Sequence, residues 1–162
     1  MKLVKKLMES LREYKKASIL TPIFVTVEVI MEVLIPFVMA SLIDKGIEAG
    51  SMSVIWKYGI LLLVLAMISL AFGTLAGHQA SIASCGLSQN LRKDMYYRIQ
   101  NFSFSNIDKF STPSLVTRMT TDITNLQNSY QMLLRMCVRA PFSLVCAMIM
   151  SFSVNAKLAS IY

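Results

Sequence analysis

Glu28 and Glu32 are the residues of this chain best placed to do chemistry. They stand four apart in an apolar run, so a helix puts both carboxylates on one face. Two readings fit such a pair. One is a polar patch facing a transport cavity and meeting cationic substrates. The other is a structural ion pair with Lys57, Arg135 or a residue beyond Tyr162. Arg135 and Arg139 are also four apart, at the start of a later apolar run, where long side chains snorkel to lipid headgroups. His78, the single histidine, has no partner at ligand spacing. Cys85, Cys137 and Cys146 show neither metal-like nor CxxC spacing, and an odd number in apolar surroundings reads as free thiols. No GxxxxGK[ST] loop occurs, so this chain has no P-loop for a nucleotide. The residues offer no catalytic set and no metal site, and the chain reads as no enzyme by itself.

These residues sit on elements of unusual greasiness. The chain is 55% hydrophobic with a mean hydropathy of +0.56, which belongs to integral membrane proteins. Three spans emerge, at about 17–43, 54–76 and 136–154, long enough to cross a bilayer. The first holds fifteen Leu, Ile, Val and Phe, each favouring insertion by about 0.3–0.6 kcal/mol. Its two glutamates together oppose insertion by about 5–7 kcal/mol on the same kind of scale. The sums roughly cancel, so this span depends on neighbouring helices or a wet cavity. Pro22 and Pro36 inside it predict bends. Gly73 and Gly77 in the second span permit close helix approach.

Charge fixes the sidedness. Residues 1–16 hold six Lys and Arg, and residues 77–140 hold seven, whereas the short segment 44–53 holds only Lys45 beside Asp44 and Glu48. By the positive-inside rule the N-terminus and the long connection are cytoplasmic. The net charge of +7 therefore reads as topology and attraction to membrane lipids, not as nucleic-acid binding. Residues 1–16, with Leu3, Leu7 and Leu11 at helical spacing, read as an elbow helix on the inner surface.

The connection of about 77–135 is amphipathic rather than apolar. Leu87, Leu91, Met95, Ile99 and Phe102 form one helical stripe, and Leu115, Met119, Ile123, Leu126, Tyr130 and Leu133 form another. Facing stripes make an antiparallel helical hairpin in the cytoplasm. Val54 to Phe104 reads as one helix of about 75 Å, against about 30 Å of hydrocarbon. Between the stripes Thr112 is a candidate N-cap with Pro113 at the first helical position. A capped short helix there is more than topology requires, and its small side chains suit docking into another protein's groove. Residues 157–162 read as the start of a fourth span, and the odd span count suggests a fragment of a larger polypeptide.

At this tip the residues resemble a known family. Phe110-Ser-Thr-Pro-Ser-Leu-Val-Thr-Arg-Met-Thr-Thr-Asp122 resembles the first intracellular loop of type I ABC exporters, and Leu91 to Gln100 resembles the stretch ahead of it. Leu42-Ile-Asp-Lys-Gly-Ile47 resembles the end of the family's first span, and Asn155-Ala-Lys-Leu158 its outer loop between the third and fourth. The resemblance covers essentially the whole chain. Arg118 to Gln127 and Leu134 to Pro141 look most like bacterial multidrug half-transporters that pair as heterodimers. Ser114 stands where many members carry Gly.

The resemblance implies an all-α membrane protein, part of an ABC transporter type 1 transmembrane domain, whose long helices extend into the cytoplasm. It implies a plasma (inner) membrane location. It also implies a nucleotide-binding domain in the same or a partner half-transporter, working with ATP and Mg, and a second transmembrane half, a heterodimer in preference to a homodimer. Thr112, Pro113, Ser114, Leu115, Val116 and Thr117 would form a coupling helix, with Arg118 and Asp122 bracing the hairpin behind it. Glu28 and Glu32 would face the substrate cavity of a drug, lipid or amphiphile exporter whose full-length form hydrolyses ATP. The alternative is a membrane-anchored adaptor or signalling protein whose helical hairpin recruits a partner.

Overall fold

The computed structural model describes residues 10–101 and 112–154, with no side-chain detail for Thr112, Ser153 and Val154. Helices α1 (Lys15–Leu42), α2 (Met52–Gln100), α3 (Thr112–Thr117) and α4 (Ile123–Val154) follow in order. A 3-10 turn at Arg12–Tyr14 precedes α1, and π-helical turns cover Ile43–Ile47 and Arg118–Asp122. No strand occurs among the described residues, so the all-α expectation holds. Residues 17–42, 54–76 and 136–154 fall in α1, α2 and α4, Ile43 belongs to the π-helical turn that follows α1, and three helices are long and apolar enough to cross a membrane. Pro22 and Pro36 lie inside α1 and Pro141 inside α4, and each helix continues through them. On α2, Ile60, Leu63, Met67 and Leu70 are 57–64% exposed, which suits hydrocarbon and not water. The chain is a membrane protein.

The chain divides into two compact units, Met1–Leu20 with His78–Leu134 and Thr21–Gly77 with Arg135–Tyr162, and α1, α2 and α4 contribute to both.

In the first unit, small residues let α2 approach its neighbours. Ala80, Ala83, Ser84, Leu87 and Ser88 are buried at helical spacing, and Ala83 packs with Ala17 and Leu134 beside Tyr130. Along α2 from Cys85 to Arg92 the partner on α4 runs backward, from Gln127, which donates to Cys85 Sγ at 3.2 Å, to Thr124, which accepts from Arg92 at 3.2 Å. This is the antiparallel pair expected from the two stripes. Its register differs in one place: Leu134 is buried and Leu133 is 55% exposed. Four residues on from Tyr130, Leu134 stays on the face that meets Ala17 and Ala83. Phe102 lies outside the described residues.

A strap from the N-terminal segment fastens to the same helix. Ser10 carbonyl accepts from Asn90 at 2.8 Å, Arg12 pairs with Asp94 at 3.0 Å, and Ser18 Oγ meets Tyr130 Oη at 3.0 Å. Leu11 is buried. Of the elbow segment expected over residues 1–16, only residues 10–16 are described, as a turn, the 3-10 turn and the first residues of α1. The Tyr14 ring lies flush against Gly86, where an added Cβ would collide with ring carbons.

In the second unit, Val25, Val29 and Ala76 form a buried cluster packed by Phe24, Val33, Val138 and Phe142. Phe24 and Phe72 add a tilted ring pair with centroids 6.0 Å apart. The link from α1 to α2 is short because the π-helical turn closes as a Schellman motif. Ser51 N–H donates to Gly46 carbonyl at 3.1 Å and Gly50 N–H to Ile47 carbonyl at 3.2 Å, with Gly50 at φ +62°. Buried Gly46 leaves room for Ile55, whose Cγ1 would stand 3.0 Å from an added Cβ.

The Tyr14–Gly86 contact sets the sign of a substitution. Ala is favoured over Gly inside a helix by about 0.5–1 kcal/mol. Gly86→Ala should nevertheless destabilise the protein, by about 1–3 kcal/mol from overpacking. In a Tyr14→Ala background the same substitution should stabilise. Thermal unfolding of the purified protein in detergent micelles reads both signs, and equal effects in the two backgrounds would count against the contact.

Candidate functional site

The charged residues of the second unit converge. Glu28 and Glu32 project from one face of α1, as their spacing requires, and Arg139 reaches both from α4. Its Nη1 donates to Glu28 Oε1 at 3.1 Å, and its Nη2 lies 2.8 Å from each oxygen of Glu32. Val25, Val29 and Val33, near the glutamates along α1, and Val138 and Phe142, near Arg139 along α4, belong to the apolar cluster of this unit. Glu28 is only 7% exposed, and its Oε2 is buried without a hydrogen-bond partner. Gly73 of α2 makes its place, since an added Cβ there would sit 2.9 Å from Oε1. The Arg139 and Glu32 side chains keep 43% and 40% exposure, so the cluster opens at that edge.

This corrects two expectations. Arg139 does not snorkel; it is the partner of the acid pair, in place of Lys57 or Arg135. In an apolar shell a guanidinium beside two carboxylates finds stronger partners than distant headgroups. Of the two glycines, Gly73 makes a close approach and Gly77 has open space within 4 Å. Sequence reasoning had a signal for Arg139 in its position inside the third apolar run, but spacing along one helix does not reveal a partner on another.

The second candidate lies in the first unit. Helix α3 begins at Thr112, one residue before the expected first helical position, and passes at Thr117 into the π-helical turn Arg118–Asp122. Pro113, Val116 and Thr117 are exposed, while Ser114 and Leu115 are half-buried. Thr117 Oγ1 donates to Pro113 carbonyl at 3.0 Å and Thr120 Oγ1 to Val116 carbonyl at 2.8 Å, tying the turns together. Arg118 and Asp122 open and close the π turn, both exposed. Both π-helical turns coincide with segments that carried the family resemblance, and such turns recur at functional sites. His78 and Cys85 are exposed.

Removing Arg139 tests the cluster's energetics. Breaking a fully buried charge group by deleting one partner costs about 3–5 kcal/mol. With one edge open, Arg139→Gln should destabilise the protein by about 1–3 kcal/mol. The triple variant Glu28→Gln, Glu32→Gln, Arg139→Gln should recover most of that loss. Denaturant unfolding in micelles compares them, and a triple variant as weak as the single one contradicts the electrostatic account.

Residues 18–162 match the family model for the ABC transporter transmembrane region. An uncharacterised ABC transporter ATP-binding protein of Bacillus subtilis, YfiB, is 32% identical over 155 residues, covering 96% of this chain and 27% of that protein. A putative export ATP-binding/permease protein of Rickettsia bellii is 26% identical over 161 residues, 99% of this chain and 28% of the relative. An uncharacterised ABC transporter ATP-binding protein of Mycobacterium tuberculosis is 26% identical over 152 residues, 94% of this chain and 26% of the relative. The chain thus spans about a quarter of the length of the curated relatives it matches. Three apolar helices of spanning length, an all-helical fold and a family match over nearly every residue agree: the chain belongs to the ABC transporter transmembrane region family, the membrane domain of type I ABC exporters.

Proposed function

We propose that this chain is the N-terminal part of the transmembrane subunit of an ATP-driven exporter, and that it relays movement of a nucleotide-binding domain into the membrane. One observation carries the reading. α2 and the helical run that ends in α4 are each far longer than the roughly twenty residues a bilayer needs, and the second begins at Thr112–Thr117, which passes through the π-helical turn Arg118–Asp122 into α4 and exposes Pro113, Val116 and Thr117. Thr112 to Thr117 act as the coupling helix, and Arg118 and Asp122 brace the hairpin behind it. The antiparallel pairing of α2 with α4 and the strap from Ser10 to Ser18 support a stiff lever.

The names of the relatives support an ATP-binding domain in the full-length protein. ATP and Mg act there, since this chain has no phosphate-binding glycine loop. A second transmembrane half completes the pathway, and the likeness of Arg118 to Gln127 to heterodimeric half-transporters favours a different partner chain over a second copy. The basic residues of 1–16 and 77–140 support a cytoplasmic N-terminus in the plasma (inner) membrane. The expected hairpin over 77–135 joins the second and third spans; the fourth span expected from 157–162 and the elbow before residue 10 lie outside the described residues. Glu28 and Glu32 line the substrate cavity, which favours amphiphiles with a cationic head among drugs and lipids. The family match disfavours the adaptor reading.

A charge on the exposed face of α3 tests the relay. Val116 is 56% exposed, so Val116→Asp should leave the fold intact while disturbing a docked partner. In the full-length transporter it should cut ATP-dependent efflux about tenfold or more, as expected for a disrupted contact centre worth about 2 kcal/mol. ATP hydrolysis should persist and lose its response to substrate. Efflux and substrate-stimulated hydrolysis at normal levels would refute the docking role.

A further inference from the structure

The charge cluster of the second unit is asymmetric in a way that bears on what the cavity accepts. Two carboxyl groups face one guanidinium, so the group has a formal excess of one acid over one base. Arg139 spends itself unevenly. Glu32 receives it on both oxygens at 2.8 Å, and Glu28 on one oxygen at 3.1 Å. The remaining oxygen, Glu28 Oε2, is buried and accepts nothing, although Glu28 is 93% buried. A buried acceptor without a donor is costly, and a charged one more so. The pair of acids alone would say little; the orphaned oxygen specifies the missing partner. It needs a hydrogen-bond donor, and the formal excess calls for a single positive charge on that donor.

We infer that Glu28 is the exchangeable arm of the cluster, and that it receives the N–H group of a protonated amine carried by the transported molecule. The inference rests on the reading of this chain as an exporter's membrane half. Arg139 keeps its two contacts to Glu32 and releases the single, longer one to Glu28. The ammonium group enters from the edge where Glu32 and Arg139 are exposed. The apolar tail meets the half-buried Val138 and Phe142 of α4. Arg139 thereby limits the site to one positive charge, because it holds the second carboxylate. Quaternary ammonium and phosphonium heads carry the same charge but no donor, so they leave Oε2 orphaned. A site built to hydrogen-bond a substrate N–H rejects the analogue that lacks it far more strongly than a greasy pocket rejects a change of size.

The test compares two amphiphiles with the same tail and the same charge, dodecylamine, protonated at neutral pH, and dodecyltrimethylammonium. The full-length transporter in proteoliposomes is titrated with each, and half-saturating concentrations for ATP-dependent efflux are corrected for partition into the same vesicles. The wild-type protein should favour dodecylamine by about tenfold or more, and Glu28→Gln should bring the ratio close to one. Equal half-saturation in the wild-type protein overturns the inference without touching the exporter reading. A preference that survives Glu28→Gln overturns it as well, because the donor would then be read elsewhere. If neither amphiphile nor a neutral lipid dye moves in response to ATP, the exporter reading itself falls, and this inference with it.

Discussion

A carboxylate inside a hydrocarbon-spanning helix must find a counter-charge, and that constraint organises the membrane half of this protein. α1 is apolar enough to insert and acidic enough to be held back, so its place in the bilayer depends on another helix. Arg139 on α4 supplies the compensation, and Gly73 on α2 supplies the space. One ionic cluster thus ties α1 to α4 where a purely apolar contact would give little direction, because lipid tails solvate Leu and Val as well as a neighbouring helix does.

The unit formed by Met1–Leu20 with His78–Leu134 solves a different problem. Its helices carry polar faces, so burial there uses small residues and cross-helix hydrogen bonds rather than ion pairing in a greasy shell. Ala80, Ala83 and Ser84 bring α2 close to its neighbours, and Tyr14 closes over Gly86. Contacts from Asn90, Arg92, Asp94 and Gln127 fix the register at several heights. Pairs of helices locked at several points resist sliding and bending.

The π-helical turns mark where regular helix gives way to something specific. One lies at Ile43–Ile47, just before the Gly50 turn into α2, and the other at Arg118–Asp122, just after the short helix α3. An inserted residue in a helix is disfavoured by its looser hydrogen bonding, and such turns recur at functional sites. Both fall on stretches whose sequence resembles type I exporters.

Period and composition alone determined the helices. Apolar runs of spanning length, stripes at three and four residues, and a Thr-Pro start at the tip are local signals, and α1, α2, α3 and α4 appear where those signals lie. The free-energy difference between a greasy helix and any other state in lipid is large, so neighbours do not change it. The identity of the partners was another matter. The acid pair was visible, but its counter-ion was not, because Arg139 is more than a hundred residues away and equally consistent with a headgroup contact. The Ala and Ser face of α2 escaped a search for large apolar residues, and the choice of Leu134 over Leu133 turned on a packing surface made by Ala17 and Ala83. Which side chains meet, and which buried oxygen is left without a donor, is decided when helices distant in sequence come together, since contact energies depend on distance in space and a linear pattern carries no record of it.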